Sequence, residues 1–235
     1  MMHIWIRDYL AQALSSSPDA KQVSPPRHLM VMFADHFEPG GNVDYVKHWI
    51  DEFRRCRSRH VDADGRRPQH SFFYPAEQFR EGEITLVSDL CREGYGEVEL
   101  HLHHFHDTST SLTKKLREAI DDFSRYGWMV TGTALPETTF AFIHGNWALD
   151  NSRTLNGSDL CGVNNEITIL HDLGCYADFT FPAIETAAQP SMINQFFYAT
   201  DDPNQPKSYD RGIPMAVGKK PSGDLLIVHG VLTIN

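Results

Sequence analysis

The stretch GEVELHLHHFHDT, residues Gly96–Thr108, alternates with a period of two. Val98, Leu100 and Leu102 fall on one side, and Glu97, Glu99, His101 and His103 on the other. Successive side chains of a strand point to opposite faces, so this pattern predicts a strand that is apolar on one face and ionisable on the other. His104 and His106 lie just beyond, where the chain turns. Two histidines two positions apart on a strand point the same way and can share one ion. Neutral imidazole is the commonest metal ligand, and zinc, cobalt, nickel and iron all accept it. Such a site needs a third ligand, usually a carboxylate from another strand end. Asp35, closing the run MVMF, stands in that kind of place and could complete a two-histidine, one-carboxylate set with an open position for water. The competing readings are a polar loop and a fortuitous nickel-binding patch.

Outward from this strand, the same periodicities recur. HLMVMFAD reads as a short buried parallel strand ending in the turn DHFEPGGN. Asn42 can cap a helix carrying Val43, Val46, Trp49, Ile50 and Phe53. SFFYP is a strand. A helix bearing Ile84, Leu86, Val87 and Leu90 stops at Gly94, and one bearing Leu112, Leu116, Ala119 and Phe123 follows the histidines. TFAFIHGN, CYADFTF, NQFFYAT and LLIVHG supply further strands, with a short helix in NEITILHDLG. Strands alternating with helices predict a parallel α/β sheet. Because one face of the histidine strand is polar, a closed (β/α) barrel with its site at the C-terminal strand ends fits better than an open sheet. Residues 1–26 are expected to form an amphipathic helix and the linker SSSPDAKQVSPP, with one barrel domain over 27–235. The short run after LLIVHG is compatible with a C-terminally shortened barrel.

Composition bounds the function. The net charge is -10 and basic residues never cluster beyond a KK or RR step, so the concentrated basic face that nucleic acid requires is missing. The four cysteines, Cys56, Cys91, Cys161 and Cys175, are widely spaced, and they read as reduced thiols rather than a disulfide framework. MMHIWIRDYLAQAL lacks the apolar core of a signal peptide, and nothing approaches the ~20 apolar residues of a membrane span. The expectation is a soluble, cytoplasmic protein without a membrane partner.

The order of motifs resembles that of the NodB-homology polysaccharide deacetylases, over roughly Leu29 to Gly230. MFADH stands where that family has a strand ending in paired aspartates, and EVELHLHH is similar to its histidine strand. FIHGNW occupies the place of an arginine-proline loop, GCYADFTFP echoes a later segment, and LLIVHG resembles the final strand ending in histidine. The resemblance implies a distorted (β/α) barrel and a divalent metal, zinc above all, held by Asp35, His101 and His103 or His104. It also implies Asp35 or Asp178 as base and His229 or His144 as acid. Three departures stand out: the aspartate pair reads Ala34–Asp35, Phe105 lies where the second metal histidine falls, and His144 replaces the arginine. Should Asp35 serve as base, His36 or Glu38 must supply the ligand.

Asn146 and Trp147 are candidates for a sugar subsite. Glu97 and Glu99 are candidates to orient ligand imidazoles or to line a polar interior. The expected activity is metal-dependent removal of an N- or O-linked acetyl group from a carbohydrate. The alternatives are hydrolysis of small amides on the same barrel, and a non-catalytic member that binds a glycan or a partner after losing its base.

Overall fold

The computed structural model describes residues 4–15, 29–129 and 139–233. In chain order the elements begin with α1 (Ile6–Leu14), β1 (Ala34–His36), α2 (Val43–Arg57), β2 (His70–Pro75) and α3 (Glu81–Arg92). Next come β3 (Gly96–Leu102), α4 (Ser109–Arg125), β4 (Phe140–His144), β5 (Thr154–Leu155), β6 (Ser158–Asp159) and α5 (Glu166–Asp172). The chain closes with β7 (Cys175–Asp178), β8 (Phe196–Ala199), β9 (Gly212–Pro214) and β10 (Leu225–Val228).

The fold is α/β, built on one eight-stranded sheet in the order β1-β2-β3-β4-β7-β10-β8-β9. Pairing is parallel from β1 through β10, and β8 and β9 join antiparallel. In this order β1 and β9 are the two ends. The expected helices and strands of the central region are present. Asn42 caps α2 by accepting from the Tyr45 N–H at 2.9 Å. At α4, the Thr108 hydroxyl accepts from the Ser111 N–H, and the Ser111 hydroxyl accepts from the Thr108 N–H. This reciprocal cap satisfies two donors of the first turn and ends the histidine stretch abruptly.

One face of the sheet carries the main core. Phe72, Tyr74, Val98, Leu100, Leu102 and Phe142 are buried there with Val87 and Leu90 of α3 and Leu112, Leu116 and Phe123 of α4. Full burial of each such side chain contributes roughly 1.5–3 kcal/mol. Among the described residues, the opposite face has a small apolar cluster of Phe73, Ala141, Ile143 and Phe179. Around it stand Ser71, Glu97, Glu99 and His101. The N-terminal helix docks at the far side, where Trp5 packs with Ile193 and Leu232, and Asp8 accepts from the Ile193 N–H.

The run before β1 departs from expectation. Leu29–Phe33 are 58–90 % exposed rather than buried, and strand pairing begins only at Ala34. The reason is register: Ala34 pairs with Ser71, and β2 starts one residue earlier at His70, so the run has no partner backbone beside it. The expected linker lies almost wholly outside the described residues. All four cysteines are free, with Cys161 and Cys175 buried. Among the described residues no helix is long and apolar enough to cross a membrane.

Candidate metal centre

Register assigns each candidate residue to a face. Pro75 pairs with His101, and His101 with Ile143; His36 pairs with Phe73, and Phe73 with Glu99. Directly paired residues share a face, so His36, Glu99 and His101 stand together on the side away from the main core. Asp35 pairs with Phe72, Leu102 with His144, and Phe142 with Asp178. Asp35, His144 and Asp178 therefore lie on the core side of the sheet, away from His101. The Asp35 carboxylate meets His70 Nε2 at 3.2 Å instead.

At the C-terminal ends of β1 and β3 four side chains converge. His101 Nε2 and His103 Nε2 are 3.4 Å apart. Glu38 Oε1 lies 3.3 Å from His101 Nε2, 3.6 Å from His36 Nδ1 and 3.8 Å from His103 Nε2. Two nitrogens bound about 2.1 Å from one tetrahedral ion stand about 3.4 Å apart, so this spacing fits a shared divalent cation. The other nitrogen of His103 pairs with Glu77 Oε1 at 2.6 Å, from the short turn Ala76–Gln78 that follows β2. A carboxylate behind a ligand imidazole fixes its tautomer and orientation. His101 Nδ1 has no such partner, and that ring is held by packing between His36 and His103, with centroids 4.7 and 4.5 Å away.

The charge states favour cation binding. Burial, reinforced by His36 and His103, holds the His101 pKa down at about 2. Burial also lowers that of His36, whereas the hydrogen bond to Glu77 raises that of His103. His101 and His36 thus offer neutral lone pairs at neutral pH, as metal ligation requires.

Gly145, following β4, is the close approach that shapes the pocket. A Cβ there would sit 2.4 Å from the His103 ring. Gly145→Ala is expected to push His103 off Glu77 and weaken metal binding by about tenfold or more, measured by competitive titration with a chelating dye. Unchanged affinity would show that His103 does not contribute.

His104 goes elsewhere. It is fully buried on the core side, with Nε2 2.9 Å from Glu166 Oε1 and Nδ1 3.2 Å from Asp107 Oδ2. His144 lies beside it at a ring distance of 4.3 Å, and burial lowers its pKa to about 3. Asp178 accepts from the N–H and hydroxyl of Thr180, and burial raises its carboxyl to about 7.

Asn146 is a bracket for its own loop, donating to His104 O and Leu160 O. Trp147 tilts against His36 at 5.7 Å and is 42 % exposed. His229 has both ring nitrogens engaged, Nδ1 with Gly230 O at 2.6 Å and Nε2 with the Gln189 amide at 2.9 Å. Trp147, His36 and His229 line one cavity of about 650 Å³, with Leu29–Phe33, Phe181, Phe196 and Val228 completing much of its wall.

Glu99 sits two residues before His101 on the same face. Its carboxylate accepts from the Ala141 N–H at 2.6 Å and the Tyr176 hydroxyl at 3.0 Å. Burial, with repulsion from Glu97, lifts its pKa to about 8 despite those bonds. Because the folded state holds this proton more tightly than the unfolded chain, stability is full below about pH 4.5 and falls as pH rises towards 8. Glu99→Gln is expected to flatten that decline, gaining on the order of a few kcal/mol at pH 9 in urea melts. An unchanged slope would exclude Glu99 as its source.

No protein-family model, curated protein or solved structure matches the chain.

The sequence offers His36 and Glu38 only as replacements for Asp35, and it does not mark Glu77, Cys161 or Glu166 as site residues. A signal existed for the first pair, since His36 and Glu38 are two apart, as His101 and His103 are. Glu77 has none, because its place depends on a short turn.

Proposed function

We propose that this chain is a metal-dependent hydrolase that removes an N- or O-linked acetyl group from a carbohydrate. The observation that carries the reading is the convergence of His36, Glu38, His101 and His103 at neighbouring strand ends, beside a cavity. The motif order shared with the NodB-homology deacetylases supports the substrate class. It also supports reading the sheet as the wall of a distorted (β/α) barrel. The cavity favours that curvature, since residues before β1 and residues of β8 and β10 line it together.

His36, His101 and His103 are the ligands in this reading, and Glu77 orients His103. A bound divalent cation supplies Lewis acidity, acidifying water and polarising an acyl carbonyl. Glu38, half-exposed and within 3.8 Å of all three imidazoles, accepts the proton of the attacking water and returns it to the departing amine or alcohol. Trp147 offers an exposed aromatic face against which a sugar ring can rest. The paired ring nitrogens of His229 leave it to shape the cavity rather than to donate a proton.

The test is acetate release from N- and O-acetylated oligosaccharides by protein stripped of metal and then reloaded with zinc, cobalt or nickel. Activity is expected to vanish and return. Glu38→Gln is expected to keep the metal while turnover falls by about 10²–10⁴-fold. Full activity in metal-free protein would overturn the assignment. The apolar wall of the cavity favours a second reading, hydrolysis of small apolar amides, which a panel of such amides in the same assay distinguishes.

A further inference from the structure

On the core side of the same strands lies a second group of ligand-type side chains, formed by His104, His144, Cys161 and Glu166. We propose that these four residues hold a structural metal ion of the zinc class, separate from the centre at His101. Their ligand atoms all lie within 4.8 Å of one another, and all four residues are buried. Glu166 Oε1 is 2.9 Å from His104 Nε2 and 3.9 Å from His144 Nε2, and Glu166 Oε2 is 3.2 Å from Cys161 Sγ. Two imidazoles, a thiol and a carboxylate form a closed four-donor set suited to tetrahedral zinc, with no position left for substrate.

A second observation points to an ion rather than a hydrogen-bonded knot. His144 Nε2 is buried without a hydrogen-bond partner, and it is aimed at the cluster. An orphaned buried group of this kind is destabilising, and a bound cation would recover that loss. His104 Nδ1 is likewise buried without a hydrogen bond, and the Asp107 carboxylate lies 3.2 Å from it, placed to receive a proton on that nitrogen once Nε2 is ligated. Asp107 is in turn held by Lys115 at 2.7 Å and Ser111 at 2.6 Å.

The location explains what such an ion does. The chain from Gly145 to Asn165 holds little regular structure beyond the β5–β6 pair. It carries left-handed non-glycine residues at Trp147, Asp150, Asn151 and Asn156. Cys161 and Glu166 lie near its end, whereas His104 and His144 belong to the sheet, so an ion joins the loop to the strands. Loading expels the Cys161 thiol proton to solvent, while in His104 the ring proton moves from Nε2 to Nδ1, on the side that faces Asp107. In His144 the ring proton moves to Nδ1, and the 3.2 Å contact from the Asn146 N–H is given up.

Cobalt tests this directly, because only this cluster contains a thiol. Protein produced in cobalt-supplemented, zinc-depleted medium is expected to hold about two ions per chain and to show a near-ultraviolet thiolate-to-cobalt charge-transfer band. Cys161→Ser is expected to abolish that band and to lower the content towards one ion, while His103→Ala lowers the content and keeps the band. A wild-type protein that takes up cobalt without the band, or takes up none, overturns the proposal. This spectrum needs no variant, so a folding failure of Cys161→Ser leaves the test intact. Loss of acetate release alone speaks only to the His101 centre.

Discussion

His101→Ala is expected to remove bound metal from the open centre and to lower acetyl hydrolysis by at least about a hundredfold. That exceeds the 10–100-fold typical of losing an orienting partner, because a ligand itself is gone. The geometry makes the loss specific. Glu38 Oε1 is closer to His101 than to either other imidazole, so the deletion would untie both the proposed ion and the proposed proton acceptor. On its Nδ1 side the ring leaves nothing stranded, since that nitrogen has no hydrogen bond to lose, and the Nε2 partners His103 and Glu38 are both partly exposed to water. His103→Ala, at a half-exposed position, is expected to give the same loss with the unfolding midpoint preserved. Elemental analysis beside the acetate assay reads both variants. Retained metal with retained turnover in either would remove that histidine from the centre.

The largest effect on stability is expected from Glu166→Ala, at about 3–5 kcal/mol. The side chain is wholly buried at the start of α5 and joins three parts of the chain. One oxygen accepts from His104, and the other accepts from the Asp150 N–H at 2.7 Å and the Cys161 thiol at 3.2 Å. In the metal-free protein, alanine leaves those donors buried with nothing to replace the carboxylate. Domains are stable by only about 5–15 kcal/mol, so such a loss is a large share of the total. A lowered urea midpoint with an unchanged slope checks it, and Glu166→Gln, which keeps one acceptor oxygen, is expected to lose less. A midpoint shift below about 1 kcal/mol would mean that the donors find other partners.

Much of the sheet was legible because its strands are short apolar runs or clean alternations bounded by turn residues. β3 was readable residue by residue: the two-residue period separated Leu100 and Leu102 from His101 and His103, and the paired strands bear that out. Helix ends were readable through Asn42 and Gly94. The run Leu29–Phe33 was not, because an apolar composition signals burial only where a neighbouring strand exists to bury it. The placement of Asp35 turned on one position. Asp35 and His36 are adjacent, so they necessarily point to opposite faces, and choosing between them required the register with β2. His104 was likewise one residue from His103 and on the other side of the sheet. Cys161 and Glu166 were out of reach, since their meeting with His104 and His144 depends on how a long connection folds back.

The alternation at the end of β3 has a consequence for insertional tolerance. His101 and His103 serve one side of the sheet and His104 the other, within four consecutive positions. A single residue added or removed between Leu102 and His104 would exchange the two sides beyond that point, because the strand period is two. His104 would then turn towards Glu38, and Phe105 towards Glu166. An inserted residue is therefore expected to be tolerated in the connection between β5 and β6 and not in the histidine segment, whose length matters more than any single side chain within it.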